Sequence, residues 1–329
     1  MISRVQLIWV LFYIGVCSQA GLAQKRTVAI TFDDLPVAGT KDPIEAKSIN
    51  HSIVGSLDRH NAPGTAFVIE KNVQEIGQTV GEEILRQWVQ HGHELGNHSF
   101  SHSDFDQLTV AEIQREIVSG EKSIGAIMRE VGKQARYFRF PMNHAGETAA
   151  KHGAVASFLL QRGYTVATCT IDNTDYLFNR AYLVMLSRKD ITSAARLRAE
   201  YLAYTSSEID YYSNLNKQVF GYEPPQVMLL HANRLNADTI EQLLTLFETK
   251  QYTFVSLEKA QSDPAFRTPD NFVSQYGPMW GYRWAAERHV RVDGKLEPEP
   301  PKWILSYIDS GPSTFHRYQR TDGSLTKRP

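Results

Sequence analysis

The strongest chemical signal in the sequence comes from four residues: the adjacent acids Asp33 and Asp34, and the histidines His98 and His102, four apart. Adjacent carboxylates repel, so a pocket that holds both needs a cation or a shared proton. In Gly96-Asn97-His98-Ser99-Phe100-Ser101-His102, a helix beginning at this segment would put both imidazoles on one face, where they can share a metal. One Asp with two His gives three ligands and leaves room for water, as a catalytic zinc site requires. Plainer readings stand beside this one. The acid pair could cap a helix, although Leu35-Pro36 follow directly, and two histidines at this spacing are by themselves ordinary surface residues. His91 and His93 flank Gly92, which breaks helical spacing, and read as turn or supporting residues. His51, His60, His144, His152, His289 and His316 show no partner pattern and are expected to be exposed.

These groups need a scaffold, and the hydropathy pattern describes one. Short β-branched or apolar runs at 27–32, 65–69, 94–97, 135–139, 164–168, 227–230 and 252–256 read as strands, with the acid pair directly after the first. They are apolar on both faces, as parallel strands covered by helices should be. Between them, 82–91, 110–130, 154–161 and 237–249 carry helical periodicity; Thr109 is a candidate N-cap and Glu112 its capping-box partner. Strand–helix alternation from 27 to about 260 argues for an α/β barrel or an open wound sheet. Residues 177–225 form a mostly helical insertion, read either as barrel helices with extra surface or as a substrate wall. The tail after Asp263, with Trp280, Trp284 and Trp303, is too irregular to assign and is expected to pack on the barrel.

Composition narrows the function classes. The chain has 329 residues, 42% hydrophobic and 22% charged, with a formal net charge of −1. That is an ordinary globular balance, with no basic stripe for nucleic acid and no Lys/Arg run for an anionic membrane. Arg4, the apolar run 7–14 and small residues up to Ala23 read as a cleavable secretory signal over residues 1–23. The run is shorter than the ~20 residues of a spanning helix. An anchored form through Cys17 is the alternative to soluble export. Cys169 is the only other cysteine and reads as a small buried hydrophobe, so no intrachain disulfide is expected in the mature chain.

Five motifs then meet a known pattern. Thr31-Phe32-Asp33-Asp34, His98-Ser99-Phe100-Ser101-His102, Arg139-Phe140-Pro141, Asp172-Asn173-Thr174-Asp175-Tyr176 and Leu229-Leu230-His231 occur in this order. The chain thereby resembles the polysaccharide deacetylases of the NodB-homology type, a carbohydrate esterase family. The resemblance implies a distorted (β/α) barrel over 24–262, carrying the helical insertion, with 263–329 as an irregular extension. It implies a divalent metal, zinc as the expected ion, on Asp34, His98 and His102, with Asp33 as general base. His231 would be the general acid, Arg139 would hold Asp33 ionised, and Asp175 would keep His231 protonated. A backbone N–H near Met142 would join the metal in stabilising the oxyanion. The implied partner is an acetylated carbohydrate polymer or oligomer such as chitin-like chains or peptidoglycan. O-deacetylation of xylan-type esters and a catalytically silent sugar-binding barrel are the alternatives. Leu35, Met142-Asn143 and Tyr176 depart from the family's usual glycine, aromatic-glycine and tryptophan, which bears on pocket shape rather than on chemistry.

Overall fold

A computed structural model describes residues 25–309; the proposed signal, Cys17 and His316 lie outside the described residues. Eight parallel strands form one curled open sheet, a half-barrel surrounded by helices. The strands are β1 (Arg26–Leu35), β2 (Gly64–Val68), β3 (Glu94–Asn97), β4 (Tyr137–Phe138), β5 (Thr165–Val166), β6 (Ile171–Asp172), β7 (Gln226–His231) and β8 (Tyr252–Phe254). Their order is β5-β4-β3-β2-β1-β7-β6, with β8 also on β1. The middle strand is the apolar run Val28-Ala29-Ile30, and it is buried because strands on either side and helices above and below remove it from water.

The helices are α1 (Pro43–Arg59), α2 (Glu70–Glu75), α3 (Gln78–Gln90), α4 (Val110–Ser119), α5 (Lys122–Glu130), α6 (Ala149–Gln161), α7 (Asp175–Ser187), α8 (Ile191–Phe220), α9 (Arg234–Thr249), α10 (Leu257–Gln261), α11 (Trp280–Glu287) and α12 (Lys302–Asp309). The capping box is present: Thr109 accepts from the Glu112 amide while Glu112 accepts from the Thr109 amide. The single helix expected over 110–130 is instead two, α4 and α5, parted at Gly120. There the chain passes so close to the Asn97–Ser99 segment that an added Cβ would lie 2.5 Å from Asn97 Oδ1 and 2.7 Å from the Ser99 carbonyl carbon. Only glycine permits that approach.

The 177–225 region is α7 and α8, the latter 30 residues long. At 1.5 Å per residue α8 runs about 45 Å. It buries Leu197, Tyr201, Ile209 and Leu215, and α11 lies against it with Trp280 and Trp284 almost wholly buried. Cys169 is a free, fully buried thiol, and burial pushes its pKa up to about 12, so it stays protonated and unreactive. Among the described residues no helix is long and apolar enough to cross a membrane.

Strand register decides what meets at the sheet's C-terminal edge. β1 and β7 pair so that Asp33 stands directly opposite His231. β3 ends at Asn97, just before His98; the Arg139 amide donates to the Asn97 carbonyl just beyond β4, and β6 ends at Asp172. All five motifs therefore converge on one rim, where side chains from different strands can face a common space.

Candidate active site

Asp34 Oδ1 lies 3.6 Å from the Nε2 atoms of both His98 and His102, and the two rings have centroids 4.8 Å apart. His98 Nδ1 is 2.9 Å from the Arg139 carbonyl oxygen, which can only accept, so Nδ1 carries the proton and Nε2 offers its lone pair towards Asp34. Burial pushes the His98 pKa down to about 4, so the ring is neutral as a metal ligand must be. Asp34 Oδ1 is buried and has no hydrogen-bond partner among the described residues. Burial works to raise the Asp34 pKa, yet His102, His231 and His98 together hold it below the usual carboxylate value. An ionised, orphaned oxygen facing two imidazole nitrogens is a donor set that fits a divalent cation.

The geometry that brings the histidines together is a loop and not the helix expected from their spacing. Ser99 and His102 have left-handed backbones, with φ of 67° and 56°, and Asp34 has φ 65°. Ser99 Oγ accepts from the His102 amide at 3.0 Å, and Asn97 Oδ1 accepts from the Ser99 amide at 2.9 Å. Local side-chain bonds of this kind hold the chain in turns that a helix would forbid. Left-handed conformations on non-glycine residues are costly and persist only where surrounding contacts enforce them.

Asp33 sits beside this triangle, 3% exposed. Its Oδ1 accepts from Arg139 Nη1 at 2.8 Å, and its Oδ2 is 3.7 Å from His98 Nε2. Arg139 is fully buried; it also donates to Thr31 Oγ1 at 2.7 Å and to the Ala167 carbonyl, and it stacks on Phe67 at 4.2 Å. On the opposite side, Asp175 Oδ1 is 2.6 Å from His231 Nδ1, and Asp175 Oδ2 accepts from the His231 amide at 2.8 Å. Burial pulls the His231 pKa down, but Asp175, reinforced by Asp34 and Asp33, outweighs it and holds the ring up at about 10. All seven residues singled out from the sequence thus meet on one rim.

Three supporting residues escaped the sequence reading. Asn233 and Asn236 donate to Asp175 Oδ2, and Tyr201 of α8 donates to Asn236 Oδ1 at 2.6 Å while accepting from Asn173. Asn233 is the N-cap of α9, a position marked by its type just after His231; Tyr201 has no sequence signal, because it arrives from a distant helix. Three histidines expected to be exposed are not. His60 lies 10% exposed between Glu241 and Glu248. The His144 ring, 11% exposed, is 2.7 Å from Asp104 Oδ1, and His152 is likewise packed in, near Asp270. His51 and His289 are exposed as expected. Met142 and Asn143 both have left-handed backbones beside the rim, and the Tyr176 ring is 6.1 Å from that of His231.

Comparison with known proteins finds relatives over part of this chain. Residues 20–159 match the family model described as polysaccharide deacetylase. Peptidoglycan-N-acetylmuramic acid deacetylase PdaA of Bacillus subtilis is 23% identical over 254 residues, covering 76% of this chain and 76% of that protein. Peptidoglycan-N-acetylglucosamine deacetylase PgdA of Listeria monocytogenes is 21% identical over 236 residues, covering 71% of this chain but 38% of that protein. Among solved structures, a mutant of the Bacillus anthracis protein BA3943, a CE4 family pseudoenzyme with restored enzymatic activity, superposes with a TM-score of 0.50 at 17% identity, covering 72% of this chain and 68% of that one. At that identity the likeness speaks for the fold.

Proposed function

We propose that the chain is a polysaccharide deacetylase, as the family match over residues 20–159 and the five motifs support, and that it hydrolyses acetamide groups on an acetylated polysaccharide or oligosaccharide of the chitin-like or peptidoglycan class. Residues 24–262 would form the deacetylase domain and 263–329 an extension of it. An export signal over 1–23 would take the enzyme to such polymers. One observation carries the reading: the orphaned Asp34 Oδ1 faces two imidazole nitrogens, with Asp33 on one flank and His231 on the other.

Asp34, His98 and His102 would hold a divalent cation, and zinc suits this oxygen and nitrogen set. Bound there, it would supply Lewis-acid polarisation of the acetyl carbonyl and a lowered pKa for water. Asp33 is then the base that takes a proton from the attacking water through Oδ2, while Arg139 donates to Oδ1 and holds the carboxylate in place. His231 carries a proton at neutral pH and would deliver it from Nε2 to the departing amine, with Asp175 on Nδ1 fixing the ring's orientation. The Met142 N–H, in the left-handed turn that follows Arg139, would stabilise negative charge on the acetyl oxygen.

The test is acetate release from N-acetylglucosamine oligomers, peptidoglycan and acetylxylan, alongside cation content measured by mass spectrometry. Asp33→Asn should keep the cation and lose turnover; His98→Ala should lose both. Unimpaired turnover in Asp33→Asn would refute the assigned base. Release from acetylxylan alone would favour ester over amide hydrolysis, and sugar binding without acetate release would mark a silent barrel.

A further inference from the structure

We propose that Arg283, on the C-terminal extension, is a positioning residue for the Met142–Asn143 turn of the active site. This rests on the deacetylase reading, in which the Met142 amide meets the developing oxyanion.

The turn needs holding. Met142 and Asn143 carry φ of 54° and 56°, two consecutive non-glycine residues in the left-handed region. Asparagine tolerates this region, whereas the methionine Cβ is crowded there against the backbone. A conformation of this kind survives only if the surroundings over-determine it: the Asn143 and His144 amides donate to the Phe140 and Pro141 carbonyls at 3.0 Å, and further contacts come from far along the chain. Arg283 Nη2 donates to the Asn143 carbonyl at 2.5 Å, across 140 positions of sequence. Its Nη1 donates to Asp270 Oδ2 and its Nε to the Pro278 carbonyl, both at 3.0 Å. The guanidinium stacks on Trp280 at 4.2 Å, and the side chain is 3% exposed. A buried guanidinium with each of its three nitrogens donating is held firmly, and it fixes the one backbone oxygen that it contacts on the turn.

Two further contacts bear on the same turn. Gly277 lies so close that an added Cβ would be 2.0 Å from the Met142 carbonyl oxygen and 2.8 Å from Asn143 Cβ. The Cys169 thiol donates to Asn143 Oδ1 at 3.3 Å, while the Cys169 carbonyl accepts from the Trp280 amide at 3.1 Å. The extension therefore grips both sides of the turn: Gly277 sets how near the backbone can come, and Arg283 sets which way the Asn143 peptide points. The Met142 N–H lies two peptide units before the clamped Asn143 carbonyl, within the same tight turn, so its aim depends on that clamp. An oxyanion donor displaced by even a fraction of an ångström loses transition-state stabilisation while leaving ground-state binding intact.

The full chain, as wild type, Arg283→Ala, Arg283→Lys and Gly277→Ala, would be compared for kcat and KM on acetylated glucosamine oligomers, for bound cation, and for amide hydrogen exchange in peptides spanning 140–145. Arg283→Ala should lower kcat at least tenfold with KM within twofold, leave the cation content unchanged, and speed exchange at 142–144. Arg283→Lys, which can keep one of the bonds, should recover part of both effects. Gly277→Ala should reproduce the kcat loss by displacing the turn instead of releasing it, and it serves where Arg283→Ala fails to fold. Turnover within twofold of wild type in both Arg283→Ala and Gly277→Ala would overturn the proposal. So would a kcat loss with unchanged exchange at 142–144, or a change confined to KM. If wild type releases no acetate from any substrate, the deacetylase reading fails; exchange at 142–144 then still decides whether Arg283 holds the turn.

Discussion

Replacing Arg139 by Met removes one member of a fully buried ion pair while nearly conserving side-chain length. Arg139 is 0% exposed and Asp33 3%, with 2.8 Å between Nη1 and Oδ1. Removing one partner of such a pair costs about 3–5 kcal/mol, because the remaining charge is buried without compensation. Thr31 Oγ1 and the Ala167 carbonyl lose a donor as well, which places the expected cost in the upper half of that range. The cost should be measured by urea denaturation of chelator-treated protein, so that no cation substitutes for the lost guanidinium. The decisive comparison is the double variant Arg139→Met/Asp33→Asn. If the Asp33 charge is what Arg139 compensates, Asp33→Asn should recover about 1–2 kcal/mol in the Arg139→Met background while destabilising, or leaving unchanged, the wild type. A loss below about 1 kcal/mol in Arg139→Met, or a coupling energy near zero in the cycle, would refute the argument. Activity supplies the second reading, since Arg139→Met should also lose turnover as Asp33 loses the bond that orients its carboxylate.

The remaining predictions use other parts of the rim. The His231 pKa stands raised, at about 10 against an ordinary 6.5, so its contribution to stability is full below about 6.5 and is lost as pH rises through about 10. Asp175→Asn should flatten stability against pH across that window, measured by urea midpoints, and should move the alkaline limb of the rate profile to lower pH; an unchanged profile would exclude Asp175 as the cause. Gly120→Ala should destabilise by about 1–3 kcal/mol, since the added methyl meets the Asn97 side chain and the Ser99 backbone; a thermal midpoint equal to wild type would show that this segment yields freely. Asn236→Ala removes a donor to Asp175 that Asn233 only partly replaces, and it should cut turnover about tenfold with cation content unchanged. Equal turnover in Asn236→Ala would show that Asn233 suffices.

Much of the site was legible because its chemistry is written in short motifs. Asp33-Asp34 and His98-x-x-x-His102 declare themselves by adjacency, and the strand before each acid pair or histidine is read from a local apolar run. The Thr109 capping box was legible for the same reason, since both partners lie within four residues. The His98–His102 spacing pointed to a helix and the structure has a loop, because hydrogen bonds from Ser99 and Asn97 stabilise left-handed turns that spacing alone does not reveal. The α4–α5 break at Gly120 was missed because its cause is a contact with a segment some twenty residues earlier.

By itself, the sequence determined which side chains could ligate, accept a proton or deliver one, and that they would stand at strand ends of a parallel α/β sheet. Those properties are local: residue type sets the chemistry, and hydrophobic period sets the element. Tertiary structure alone decided that Asp33 faces His231 across 198 positions, by the register of β1 on β7. It also decided that the His231 pKa is set by burial against a surplus of nearby carboxylate charge, and that a tail too irregular to assign reaches the Met142 turn through Arg283. Register, burial and electrostatic surroundings are sums over the whole packed chain, and no window of sequence contains them.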